Sequence, residues 1–223
     1  MPFENLKKQH ISDINEINDR IINEICYNTI NELSDNKLIN EYKKCKSVIK
    51  EIKLLENILL KYVDNSIIYD IIDEYIYNII PAGTKGVIRG NKFNYIVKNY
   101  IKKIQLDIER FDIFFEKKCN LYLTTEIPDW YILDKTSNRI IIGMNQLDIW
   151  SGGQQLNRGY KYIDDNKHNT NNSKLLCVIC NKIQFKNKNK AYKLFEIGFR
   201  NNTLCYLNNL ENIIKSYFQL LKD

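Results

Sequence analysis

Residues 126–163 read EIPDWYILDKTSNRIIIGMNQLDIWSGGQQLNRGYKYI, and this stretch decides the predicted fold. Residues 127–133 form a short run rich in aromatic and β-branched residues. Residues 134–138 are turn formers, and residues 139–149 are again rich in isoleucine. This order predicts a β-hairpin with a five-residue connection.

Polar side chains gather around this hairpin. Residues 151–153, Ser-Gly-Gly, end the second strand, and residues 154–163 are predicted to begin a helix whose N-terminus faces the hairpin. Hydrophobic burial does not explain the polar residues concentrated here, which are Glu126, Asp129, Asn145, Gln146, Asp148, Gln154, Gln155, Asn157 and Arg158. We therefore interpret this stretch as the functional site.

The composition indicates a folded protein with a moderate positive charge. The 223 residues are 44% hydrophobic, and the net charge is +6. This charge is compatible with a polyanionic partner without requiring one. The N-terminus is polar, no apolar run approaches the roughly 20 residues of a membrane span, and six cysteines occur at irregular spacing. We expect a soluble intracellular protein with reduced thiols and no membrane partner.

Residues 1–80 contain no glycine and carry apolar residues at helical spacing. Helices are predicted at residues 14–25, 38–52 and 62–80, although the isoleucine and tyrosine content of residues 62–80 would also suit strands. We expect an α-helical N-terminal region at 1–80 and an α/β core at 81–223. The N-terminal helices are expected to be scaffold, and the alternative is an arm that contacts a ligand or a second subunit.

Residues 83–104 are predicted to form a glycine-punctuated loop that leads into an amphipathic helix. Lys85, Arg89 and Lys92 make the loop basic, and exposed backbone amides beside a helix N-terminus suit phosphate oxygens. A solvated lysine-rich face is the competing explanation.

The remaining segments are assigned from apolar runs and turn residues. Residues 111–123 are predicted to form one strand or two short ones, residues 175–185 a strand, residues 193–199 and 204–207 one or two short strands, and residues 208–221 a helix. Residues 164–173 are predicted to be an exposed loop in which His168 is solvated. Cys177 and Cys180 are interpreted as buried thiols of a core strand, because no second pair completes a zinc site.

The residue inventory narrows the chemistry. The two histidines stand in unpromising contexts, and the chain lacks a nucleophile elbow, a Walker A motif and a dinucleotide fingerprint. Carboxylate and amide groups on a hairpin remain. Such groups can hold a hard divalent cation that orients water at a phosphodiester.

Pro128-Asp129, followed by a turn and an isoleucine-rich strand that ends in polar residues, resembles the core of PD-(D/E)XK nucleases, particularly type II restriction endonucleases. Gly86, Gly90 and Phe93 resemble the loop before the first core helix of such enzymes. The resemblance covers residues 83–185. It implies an α/β fold with a mixed sheet flanked by helices, and Mg²⁺-dependent, sequence-specific cleavage of double-stranded DNA.

The resemblance also implies roles for individual residues. Asp129 would hold the metal, and Gln146, in the place of the family's lysine, would orient water or the scissile phosphate. The expected acidic residue is missing because Met144 stands in its place, which leaves Glu126 or Asp148 as the second metal-binding carboxylate. Asn145 is a further catalytic candidate, although strand alternation points it away from Gln146 unless a bulge turns it inward.

The expected partner is double-stranded DNA, and cleavage of both strands of a palindromic site would favour a twofold homodimer. The residues expected near DNA are Arg89, Lys92, Gln154, Gln155, Asn157 and Arg158. Two alternatives stay open: a non-catalytic DNA-binding protein with a decayed nuclease site, and a structural or interaction protein that acts through residues 1–80.

Overall fold

The computed structural model describes residues 33–146, 160–163, 168–180 and 190–220. The described residues up to Phe93 form one compact unit, and those from Asn94 onward belong to a second. No helix among them is long and apolar enough to span a membrane. The predicted helix at residues 14–25 lies outside the described residues.

The first unit is helical. Helices α1 (Asp35–Lys43), α2 (Lys46–Leu59) and α3 (Asn65–Ile79) follow one another, and the Asp64 side chain caps α3 by accepting a 2.9 Å hydrogen bond from the backbone N–H of Ser66. Their shared core consists of Leu38, Tyr42, Val48, Ile76 and Ile80. The helical prediction is confirmed for these residues, but the stretch predicted at 38–52 is two helices with a turn between them.

Helix α4 (Ala82–Lys103) corrects the prediction of a glycine-punctuated loop. Gly83, Gly86 and Gly90 lie inside this helix, and a β-carbon added at any of them would meet no atom within 4 Å. Their spacing of three and four residues puts them on one helical face. The backbone amides of residues 86–90 therefore belong to a helix interior and not to an exposed phosphate-binding loop.

The second unit is built on a five-stranded mixed sheet, so the α/β fold class is confirmed. The strands are β1 (Phe111–Phe115), β2 (Trp130–Asp134), β3 (Arg139–Gln146), β4 (Ser173–Ile179) and β5 (Leu204–Tyr206), in that spatial order. The pairs β1–β2 and β2–β3 are antiparallel, and the pairs β3–β4 and β4–β5 are parallel. The predicted hairpin is β2–β3, with a connection one residue shorter than predicted.

The connection is shorter because Asp134 is part of β2 and is fully buried. Its carboxylate accepts a bidentate pair of hydrogen bonds from Arg110, at 3.1 and 2.7 Å, and a further one from the Ser137 hydroxyl at 2.7 Å. The Arg110 guanidinium holds the pKa of Asp134 well below its usual value. Asn138 ends the turn with a φ of 56°, in the left-handed region that asparagine tolerates.

Strand alternation gives the sheet two apolar faces. One face carries Ile140, Ile142 and Met144 of β3, which pack in a large core that also contains Leu194 and Phe195. The residues of β3 between them, Ile141, Gly143 and Asn145, lie on the opposite face.

The C-terminal segments differ in part from the prediction. Residues 193–199, predicted as a strand, lie in helix α5 (Lys190–Arg200). Strand β5 is confirmed, and a 3-10 turn (Leu207–Asn209) precedes helix α6 (Leu210–Tyr217). In the segment predicted as one or two strands at 111–123, only β1 is a strand.

Two single-residue expectations also have outcomes. His168, predicted to be solvated, is 3% exposed, and its Nε2 accepts a 3.1 Å hydrogen bond from the backbone N–H of Leu123. Burial of Cys177 and Cys180 is confirmed. Burial raises the pKa of the Cys177 thiol well above its usual value, which is the behaviour of an inert core cysteine.

Candidate functional site

Asp129 stands immediately before β2, and its backbone is fixed on both sides. Its N–H donates to the carbonyl of Gly143 at 3.1 Å, and its carbonyl accepts from the N–H of Glu116 at 3.0 Å. The preceding Pro128 is buried and has no N–H to satisfy. The Pro128-Asp129 pair is therefore continuous with the sheet through both neighbouring strands.

Two elements hold the carboxylate of Asp129. Oδ1 accepts a 2.9 Å hydrogen bond from the side-chain amide of Asn94 on α4, and Oδ2 accepts a 2.6 Å hydrogen bond from the backbone N–H of Asn145 on β3. Hydrogen bonds to an ionised carboxylate are among the stronger ones in proteins. The carboxylate is thus tied to a helix and to a strand other than its own.

The two asparagine side chains form a directed chain that starts at Trp130. The indole Nε1 donates to Asn145 Oδ1 at 3.1 Å, and Asn145 Nδ2 donates to Asn94 Oδ1 at 3.1 Å. Because indole N–H can only donate, Asn145 must turn its oxygen toward Trp130 and its amino group toward Asn94. Asn94 is then left with its amino group facing Asp129, which must accept.

Gly143 makes room for this arrangement. It lies directly across from Trp130 on the paired strands, and Trp130 is 1% exposed. A β-carbon built on Gly143 would overlap the Trp130 ring. Only glycine lets the indole lie flat over β3 at this point, and that position brings its N–H to Asn145.

Burial raises the pKa of Asp129 above its ordinary value of 3.8, and it is the largest influence on that group. The hydrogen bonds from Asn145 and Asn94 act in the opposite direction, because they favour the charged form. The nearby carboxylates Glu116 and Glu126 raise the pKa further. The net result is a carboxylate that a positive charge would stabilise in its ionised form.

Glu126, predicted as a second metal ligand, is held by two groups from the helical residues 160–163. Its Oε2 accepts a 2.8 Å hydrogen bond from the Tyr162 hydroxyl and lies 3.0 Å from Lys161 Nζ. These contacts join residues 161 and 162, which follow β3 in the chain, to Glu126, which precedes β2. They also place one cation next to the acidic side of the site.

Asn145 and Gln146 stand differently with respect to Asp129. Asn145 is 9% exposed and contacts Asp129 through its backbone, without any strand bulge. Gln146 is half-buried and alternates to the face that carries Met144. Asn145 is thus the polar residue of β3 that contacts Asp129 in the described part of the chain. The role of Gln146 in orienting water or phosphate stays a prediction.

The donor atoms at Asp129 fit one position of a magnesium site. A carboxylate has about four lone-pair positions, and two of these accept the N–H groups of Asn94 and Asn145. Mg²⁺ in nucleic-acid enzymes is held by one or two carboxylates together with water and phosphate oxygens. Within the described ranges, no group of three or more His, Cys, Asp or Glu residues is arranged to hold a metal ion.

Several predicted site residues lie outside the described residues: Asp148, Gln154, Gln155, Asn157 and Arg158. Arg89 and Lys92 lie in the first half of α4, within the helical unit, and both are partly buried. They are helical residues and not loop residues, and their contact with DNA stays a prediction.

Sequence reasoning missed three contributors to this site: Asn94, Trp130 and Tyr162. Asn94 is 35 residues before Asp129 in the chain, and nothing in its local sequence distinguishes it from other polar residues of a helix. Trp130 follows Asp129 directly, and an indole N–H that needs a partner when buried was a usable signal.

No family model matches this chain, and no curated protein or solved structure matches it either.

Proposed function

We propose that this protein is a Mg²⁺-dependent endonuclease that cleaves double-stranded DNA at specific sequences, with a core of the PD-(D/E)XK type. The observation that carries the proposal is the carboxylate of Asp129, fixed by Asn94 of α4 and Asn145 of β3 at the start of β2. A partly buried carboxylate with a raised pKa, held by polar groups from two other elements, is the kind of group found at functional sites.

The sheet supports the finer fold assignment. Pro128-Asp129 leads directly into β2, and β3 returns antiparallel so that its polar end meets Asp129. Helices accompany a mixed sheet, as the nuclease resemblance implies.

In this proposal Asp129 is a ligand of Mg²⁺, and Glu126 or Asp148 supplies a second carboxylate. A bound Mg²⁺ supplies Lewis acidity toward the scissile phosphate and lowers the pKa of a coordinated water. Asn94 and Asn145 orient the Asp129 carboxylate, which leaves its remaining lone pairs for the ion. Gln146 is proposed to orient water or phosphate at the polar end of β3.

Positive charge around the site supports a DNA substrate. Lys98 follows Asn94 by one helical turn and lies 5.2 Å from the ring centroid of Phe115 at the end of β1. The net charge of +6 favours approach to a polyanion. We propose that Arg89, Lys92, Gln154, Gln155, Asn157 and Arg158 contact the DNA, and that cleavage of both strands of a palindromic site requires a homodimer.

One observation favours a second candidate, a DNA-binding protein without catalytic activity. Both oxygens of Asp129 already accept N–H groups, and amides stand at Asn94 and Asn145, where carboxylates would add charge for a metal. A site of this kind can keep its structure by hydrogen bonds alone.

The test is incubation of the purified protein with unmethylated plasmid and phage DNA, with Mg²⁺ or with EDTA. Wild type is compared with Asp129→Ala and with the matched control Asp112→Ala. Asp112 is a half-exposed carboxylate of β1 whose described ion pair is with Lys135, 3.5 Å away. The proposal expects discrete fragments that need Mg²⁺, persist in Asp112→Ala and vanish in Asp129→Ala.

Each other outcome has a meaning. A folded wild-type protein that cuts no DNA but shifts it in a salt-dependent manner is the non-catalytic binder. Cleavage that survives Asp129→Ala contradicts the assignment of the site. If the folded protein neither cleaves nor binds DNA, the result favours a structural or interaction protein that acts through residues 1–80.

A further inference from the structure

A cavity of about 430 Å³ opens in the sheet unit beside the start of β4, away from Asp129. Its volume falls in the range of small-molecule sites, about 300–1,000 Å³. The lining combines apolar residues with polar side chains, which are Lys174, Asn202, Asn209, Asn212, Ser216 and Tyr217.

The cavity follows from the strand register. β5 pairs with β4 only from Cys177 to Ile179, so the first half of β4, which contains Lys174, extends beyond the start of β5. The chain enters β5 from α5 through Asn202, which has a left-handed φ of 53°. Helix α6 lines the other side with Asn212 and Tyr217.

Two cations meet at Tyr217 without a described counter-ion. The Arg139 guanidinium lies 4.2 Å from the centroid of the Tyr217 ring, and Lys174 Nζ lies 5.8 Å from it. In the part of the chain that the structure describes, neither cation forms an ion pair. The carboxylate across from Arg139 is Asp134, which is already bound by Arg110.

The polar atoms around Tyr217 are desolvated. The Tyr217 hydroxyl and Arg139 Nε are buried, and Arg139 interacts with the Tyr217 side chain. Burial lowers the pKa of Lys174, and the charge of Arg139 lowers it further. Burial also raises the pKa of Tyr217, whereas the interaction with Arg139 lowers it. Like charges held together in a partly buried place are stabilised when an anion binds between them.

We propose that this cavity binds a phosphomonoester, with its phosphate at Lys174 and Tyr217 and its organic part in the cavity. A phosphomonoester carries about −1.5 to −2 charges at neutral pH, so it interacts more strongly with Lys174 in the lining, and with Arg139 behind the Tyr217 ring, than a carboxylate or a phosphodiester does. The side-chain amides of Asn202, Asn209 and Asn212 in the lining offer hydrogen-bond donors. The proposal does not depend on the proposed nuclease activity.

This chemistry has two sources, a free nucleotide and the 5′-phosphate of a DNA end. The experiment measures binding of adenosine 5′-monophosphate and adenosine by isothermal titration calorimetry, and compares a 5′-phosphorylated short duplex with its 5′-hydroxyl form. The variants are Lys174→Met and the conservative Lys174→Arg. The matched control is Lys215→Met, a lysine of α6 that is paired with Glu211.

We expect the phosphorylated member of at least one pair to bind about tenfold or more tightly than its counterpart. Lys174→Met should remove that preference, and Lys174→Arg and Lys215→Met should keep it. A preference confined to the mononucleotide identifies a free nucleotide, and one confined to the duplex identifies a DNA end. Equal binding within both pairs, or a preference unchanged in Lys174→Met, would overturn the proposal.

Discussion

Replacing Gly143 by alanine should lower the free energy of unfolding by about 2–4 kcal/mol. The new β-carbon would overlap the ring of Trp130, which is 1% exposed. Overpacking of a core typically costs about 1–3 kcal/mol. Displacement of the indole also breaks its 3.1 Å hydrogen bond to Asn145, which adds about 1 kcal/mol.

The matched control is the same substitution at Gly90. There the β-carbon meets no atom within 4 Å and the residue lies inside α4. Gly90→Ala should therefore stabilise the protein by about 0.5–1 kcal/mol, because alanine restricts the unfolded chain and favours helix.

Urea unfolding followed by far-ultraviolet circular dichroism measures both variants. We expect the midpoint of Gly143→Ala to fall and that of Gly90→Ala to rise, with unchanged slopes. A Gly143→Ala variant within about 0.5 kcal/mol of wild type would refute the close approach of Trp130 to β3 and the hydrogen-bond chain built on it.

Two further predictions concern ionisation. Asn94→Asp puts a second carboxylate 2.9 Å from Asp129, so the pKa of one of the two carboxyl groups rises further. The variant should lose stability at neutral pH and regain it as acidification protonates the pair. Chemical denaturation at about pH 7 and about pH 5 measures this, and equal losses of stability at both would contradict it. The pKa of Asp134 is lowered, so its contribution to folding stability is present above about pH 3.8 and lost as the pH falls. The stability of Asp134→Ala should therefore depend less on pH than that of wild type between about pH 6 and about pH 2. Parallel plots of stability against pH for the two proteins would argue against the ion pair of Asp134 with Arg110.

The hairpin was predictable because its signals are local. Turn-forming residues separate two β-branched runs, and the paired strands have the predicted order. Helix α4 was not predictable in the same way, because three glycines within eight residues indicate a loop by propensity. The buried Val97 and Ile101 give the helix a packed stripe, and packing outweighs propensity in such cases.

Short apolar runs account for the other errors. Leu194 and Phe195 are apolar neighbours, and both are buried in helix α5, although periodicity over so few residues does not separate helix from strand. His168 is in a polar segment, yet it is buried, accepts a hydrogen bond from the backbone N–H of Leu123 and has its ring centroid 4.9 Å from that of Tyr122. A contact between residues 45 positions apart in the chain, such as that of Leu123 with His168, has no signature in the local sequence.

Half of the candidate site was predictable because it lies in the hairpin, whose sequence signals are local. Asp129 and Asn145 belong to one hairpin, and their pairing follows from its register. Asn94 comes from α4, so its contact with Asp129 depends on how the helix lies against the sheet. The face of β3 that meets Asp129 was also decided by packing, since Trp130 fills the space above Gly143 and directs Asn145 inward.

The most direct test of the central claim is the initial rate of Mg²⁺-dependent cleavage of unmethylated phage DNA by wild type and by Asp129→Ala, at equal concentrations of folded protein. If the Asp129 carboxylate is the metal ligand of an endonuclease, wild type produces discrete fragments and the variant is slower by about 100-fold or more. Equal rates, or no cleavage by wild type in Mg²⁺, would contradict that claim.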